Sequence, residues 1–176
     1  RGDPPSMSLE DVQAVIDSAK ARGLDHLQGY IRQRAPDMSE PKIQETAEVA
    51  LEIIESVPIF LARANQEARS RGMVRTVQPV LEHAEQYFLR PMDLIPEMTM
   101  GLAGLLDDTY LVLRILQNLD RGPEPFLDWD LEFPLAFLRG LVGREIGSKL
   151  DTLSVAAMEE VSQQLALVWD QVSHDA

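Results

Sequence analysis

Cysteine is absent from all 176 residues of the chain. Its absence removes disulfide scaffolds, thiolate nucleophiles and cysteine-ligated zinc from consideration. Aromatic residues are scarce at 6%, against an apolar fraction of 45%. That balance suits helices packed through aliphatic side chains better than an aromatic-rich β-barrel. Basic residues are short as well, 16 against 29 acidic ones, for a formal net charge of −13. Nucleic-acid binding depends on Lys and Arg neutralising phosphates, so this balance argues against nucleic acid and likewise against anionic membrane surfaces. It suits solubility, a basic protein partner or a cation. A long hydrophobic run is missing too. The apolar stretch after Glu97 ends at Leu106, and Asp107 and Asp108 follow, which falls short of the roughly 20 residues that a span requires. No transmembrane segment is expected, and no signal peptide opens the chain. The cytoplasm is therefore the expected location. Met7 reads as a natural start, residues 1–6 as a vector-derived or disordered tail, and the Arg1-Gly2-Asp3 triplet carries no functional weight.

Helical periodicity is what remains, and strand-type alternation is not found. The expected fold is all-α, a single helical domain over 7–176 with about six to seven helices. The first helix should start with Ser8 as N-cap and stop at Gly23, and the second should end before Pro36. The third should run from about Pro41 to Arg71 with Gly72 as its stop. Its apolar positions Ile43, Ala47, Ala50, Ile54, Val57, Leu61, Ala64 and Ala68 alternate spacings of four and three. That seam serves packing inside the bundle, or a homo-oligomer through the helix at 43–68. Pro58 within it should kink or divide the helix. A fourth helix is expected from near Thr76 to Leu89 with Pro79 in its first turn, and a fifth from Thr99 as N-cap to Leu119. A sixth should open at Asp128 or Asp130, and a seventh at Ser148 with Asp151 three residues on.

The chemistry-bearing stretch is residues 90–108. Pro91 and Pro96 each fix φ and remove a donor, so Met92 to Pro96 should form a stiff corner between helices four and five, plugged by Leu94 and Ile95. Four carboxylates, Asp93, Glu97, Asp107 and Asp108, sit in this apolar region, where ionised groups need partners. Asp107 and Asp108 point about 100° apart on a helix. Corner N–H groups, Arg90 and Arg114 are the nearby candidates to satisfy them, in a structural staple. The rival use of Asp93, Glu97, Asp107 and Asp108 is a site for a hard divalent cation, since Mg²⁺ and Ca²⁺ prefer oxygen ligands. No EF-hand or HExxH spacing accompanies them. His26, His83 and His174 lack a nucleophile pattern, and Gly101-Leu-Ala-Gly104 is no phosphate loop because Lys is missing. Trp129, Phe133, Phe137 and Leu141 form an i, i+4 ridge, read as core or as a partner-docking ridge.

Pro91-Met-Asp93-Leu94-Ile95-Pro96-Glu97, followed by Gly104 and then Asp107-Asp108, resembles the signature of the YkvA-like bacterial family, over about residues 83–119. Glu97 stands where that family usually shows Asp. The resemblance implies a small all-helical bacterial domain of unknown function, with Arg90, Pro91, Asp93, Leu94, Ile95, Pro96, Gly104, Asp107 and Asp108 as family-motif positions. The leading expectation for function is a soluble, non-enzymatic interaction or scaffold module with another protein as partner, no cofactor, and a structural role for the acidic motif. A divalent-cation-binding enzyme or sensor, and a membrane-peripheral protein attaching through Trp129 to Leu141, are the alternatives.

Overall fold

The computed structural model describes residues 6–89, 101–119 and 130–175, with side-chain surroundings over 9–89, 101–119 and 130–159. Seven α-helices and no strand occur among them: α1 Ser6–Ala21, α2 Asp25–Arg34, α3 Glu40–Ser70, α4 Val74–Leu89, α5 Leu106–Leu119, α6 Glu132–Val142 and α7 Arg144–Asp175. A 3₁₀ turn, Leu102–Leu105, runs directly into α5. No helix among the described residues is long and apolar enough to cross a membrane.

α5 is the centre of the bundle. Residues from Leu106 to Leu113, with Ile115 and Leu116, are buried on every side, as expected of a helix enclosed by others. It packs against α7, α4, α6 and α3, while α1 lies across α3 and α4 and α2 contacts α3 and the 3₁₀ turn. The seam of α3 is spent inside this arrangement. Ile43, Ala47, Ala50, Ile54, Val57, Leu61, Ala64 and Ala68 are all buried in the one core, and alanines there let neighbouring helices approach closely. Of the two uses read from the sequence, the seam positions serve packing inside the bundle.

Several expected boundaries shift. α1 begins at Ser6 rather than after a Ser8 cap; the first turn of a helix is weakly specified by any one side chain. α3 starts one residue early at Glu40, behind Ser39, whose hydroxyl accepts from Lys42 N at 3.4 Å. Pro58 does not divide α3, which runs unbroken for 31 residues. The lost hydrogen bond is outweighed by buried Ile54, Val57 and Leu61 around it, since packing rather than propensity supplies most helix stability in a protein. α4 opens at Val74, because the Met73 carbonyl accepts from both Thr76 N and Val77 N. Pro79 is thus its sixth residue, inside the helix rather than in the first turn.

The fifth helix departs furthest from expectation. Gly101 and Gly104 do not lie in an α-helix interior: Gly101 has φ +71° and precedes the 3₁₀ turn that contains Gly104. α5 proper starts only at Leu106. At the far end, Gly143 (φ +94°) is the single residue between α6 and α7. α7 therefore begins at Arg144, and Ser148 and Asp151 lie within it instead of capping it.

Candidate functional site

The late start of α5 puts Asp107 and Asp108 in its first turn, both buried at 3% and 2% exposure. Carboxylates are favoured there because unsatisfied N–H groups and the helix dipole present positive charge. Asp107 Oδ1 accepts from the Asp108 backbone N–H at 2.9 Å. Arg114, an expected partner of these aspartates, turns elsewhere, as described below. Gly104 lies in the turn just before them. Arg90, Pro91, Asp93, Leu94, Ile95, Pro96 and Glu97 lie outside the described residues, as does Trp129. Among the described residues, no group of three or more His, Asp or Glu side chains is placed to hold a metal ion.

Of the expected ridge, Phe133, Phe137 and Leu141 lie on the outer flank of α6. Leu131, Leu135, Leu138 and Val142 carry the opposite flank into the core. Phe133 is 65% exposed, while Phe137 and Leu141 are half-buried against the core edge. The Phe133 and Phe137 rings lie 6.0 Å apart at a 40° tilt. The ridge is therefore neither wholly core nor wholly surface. Its first described member projects and the next two anchor it.

What fixes α6 is a cluster that sequence reasoning missed. Asp151 on α7 is its hub. Its Oδ1 accepts from Tyr110 Oη at 2.7 Å and Arg114 Nε at 3.0 Å, both on α5. Its Oδ2 accepts from Arg139 Nη1 on α6. Arg139 Nη1 also donates to Tyr110 Oη at 3.0 Å, and its Nη2 to Ser148 Oγ at 3.3 Å. Arg114 Nη1 donates to Gln117 Oε1. One carboxylate thus ties three helices together. Gly147 leaves room for this arrangement, since the Arg139 side chain packs tightly over it, with Cγ 3.0 Å from where a Cβ would sit.

The titration behaviour of the cluster follows from this geometry. Burial pushes Asp151 upward, but hydrogen bonds from Tyr110, Arg139 and Arg114 outweigh it and hold the carboxyl below its ordinary value. Burial, then the Asp151 bond, pushes the Tyr110 phenol above its ordinary value. Bonds to Asp151 and Tyr110 raise Arg139. Each group is held in the state that binds its neighbours: carboxylate anionic, phenol protonated, guanidinium charged. With Tyr110, Arg114 and Arg139 all donating to one carboxylate, the arrangement acts as a clamp between α5, α6 and α7.

The same C-terminal half of α6 is also held from α2. Tyr30 Oη donates to the Leu141 carbonyl at 2.9 Å, and the Arg34 guanidinium lies 4.9 Å over the Tyr30 ring. From the sequence, Arg114 is expected to serve Asp107 and Asp108. Its actual partner Asp151, 37 residues on, can be placed only once α6 and α7 fold back across α5.

Comparison with protein families, curated proteins and solved structures returns no match to this chain.

Proposed function

We propose that this chain is a non-enzymatic helical interaction module that receives a partner protein on the outer flank of α6. The observation that carries this reading is Phe133, a phenylalanine 65% exposed beside a half-buried Phe137, on a helix whose inner leucines are buried and whose C-terminal half is fastened at Arg139 and Leu141. A projecting aromatic on a rigid support loses little conformational freedom on binding, and such side chains supply much of the energy in protein interfaces. With a formal net charge of −13, the surface favours a partner of basic character. In this reading the acidic motif is structural, with Asp107 and Asp108 serving the start of α5. The resemblance to the YkvA-like family supports a bacterial setting for the module.

The test is affinity capture from the native cell with the wild-type chain and Phe133→Ser. A partner bound by the wild type and lost by the variant, with thermal melts unchanged, is expected. Equal capture by both refutes the role of α6. Catalytic turnover abolished by Asp107→Asn or Asp108→Asn refutes the non-enzymatic assignment, and co-sedimentation with liposomes through Phe133 refutes the protein partner.

A further inference from the structure

A cavity of about 430 Å³ opens between α1, the end of α4 and the 3₁₀ turn, on different helices from the Asp151 cluster. Its volume is within the range of small-molecule sites, roughly 300–1,000 Å³. The floor is apolar and buried: Ala19, Phe88, Gly101 and Leu105. Small residues make the space, because Ala14, Ser18 and Ala19 line it together with Gly101 and Gly104. Val15 and Leu89 form half-buried walls.

Charge gives the cavity its direction. In a chain with 29 acidic residues, the described lining contains no Asp or Glu and one cation, Arg22. The Arg22 guanidinium, just past the end of α1, has no hydrogen bond or ion pair among the described residues, in contrast to Lys20 in the last turn of α1, which pairs with Glu55. An uncommitted guanidinium beside an apolar floor matches one kind of molecule: an apolar body ending in an anion.

We infer that this cavity binds a monomeric amphiphile with an anionic head, of which a medium-chain carboxylate is the simplest, its chain on Phe88 and Leu105 and its head on Arg22. Ser18, at the rim, is placed to donate a second hydrogen bond to the head.

The inference is tested by isothermal titration of the full chain with sodium octanoate and sodium decanoate below their micelle concentrations. Decyltrimethylammonium serves as the cationic control. One saturable decanoate site is expected, with Kd on the order of 0.1 mM. Each methylene buried should tighten binding by up to about fourfold. Arg22→Gln should weaken decanoate about three- to tenfold, and Arg22→Lys should retain most of the affinity. Ser18→Leu fills the cavity from an exposed position and should abolish binding, with Ala14→Leu as a second filling variant. Absence of saturation, equal binding of decyltrimethylammonium, or indifference to both filling variants overturns the inference. So does co-sedimentation with phosphatidylglycerol vesicles in the absence of monomer binding.

Discussion

Replacing Asp151 by Asn tests the clamp most directly, because it keeps the shape of the side chain and removes only the charge. The wild-type carboxylate accepts three hydrogen bonds, from Tyr110, Arg114 and Arg139. A bond to a charged group contributes about 1.5–3 kcal/mol where water is excluded. Water is not fully excluded here: the Asp151, Arg114 and Arg139 side chains are 27%, 23% and 36% exposed, so screening reduces each contribution. An amide oxygen also keeps part of the bonding. Against that, two guanidinium groups lose their shared counter-ion. The expected net loss is about 2–3 kcal/mol, between the values for exposed and buried pairs. For a chain of this length that corresponds to roughly 4–12 °C in melting temperature. Urea denaturation should show a lower midpoint at unchanged slope. Tyr110→Phe removes a bond of the same network, so the double variant should show a coupling energy of about 1 kcal/mol.

The pH dependence has a fixed sign. The folded-state pKa of Asp151 is lowered, so its stabilisation is complete above the unfolded carboxylate value of about 4. It is lost as pH falls through the lower folded value. The gap between wild type and Asp151→Asn should therefore be constant from pH 8 to about pH 5 and close below about pH 4. A gap under about 0.5 kcal/mol at pH 7, within the range of an ordinary surface ion pair, or strict additivity with Tyr110→Phe, refutes the clamp.

Three further outcomes are expected. The Tyr110 phenol is raised, so its stabilisation holds below the ordinary value of about 10 and is lost as pH rises through the folded value; the phenolate absorbance difference between wild type and Tyr110→Phe should have its midpoint above pH 10, and a midpoint at or below 10 contradicts it. Gly143→Ala places a Cβ at φ +94° and 2.7 Å from Arg34 Nη1, which should cost about 2–3 kcal/mol in urea melts; adding Arg34→Ala relieves the contact but not the backbone strain, so recovery should be partial, and full recovery would disprove the strain. Phe88→Ala, at a position 1% exposed, should cost about 3–5 kcal/mol, whereas Phe133→Ser should stay within about 0.5 kcal/mol, and a large loss from the latter shows that Phe133 is part of the core.

The all-α class and most helices were legible because apolar spacing along a helix reports burial directly. The eight-residue seam of α3 is the clearest instance, and every one of its positions is buried. Helix starts were less legible, for a physical reason. A first turn can be satisfied by a backbone carbonyl, such as Met73 O for α4, as well as by a Ser or Asp side chain. Ser148 and Asp151 have the spacing of a capping pair, yet Gly143 turns the chain early and places both inside α7. Side chains that could have capped a helix became free to bridge helices.

That displacement also explains why the acidic motif held attention while the Asp151 cluster did not. Asp107 and Asp108 are adjacent in sequence and sit in an apolar run, so their burial could be expected from one segment alone. The cluster draws Tyr110 and Arg114 from α5, Arg139 from α6, and Ser148 and Asp151 from α7, none unusual in its own segment. Only packing gives them a common partner. The consequence lies on α6. This 11-residue helix is too short to be stable alone, and it is held by Arg139 on one side and by Tyr30 at its end. Its inner leucines bury while Phe133 remains in solvent. Loosening the clamp at Asp151 should therefore weaken partner binding through Phe133 even though the two side chains do not share a hydrogen bond. Removing Phe133 should leave the clamp intact.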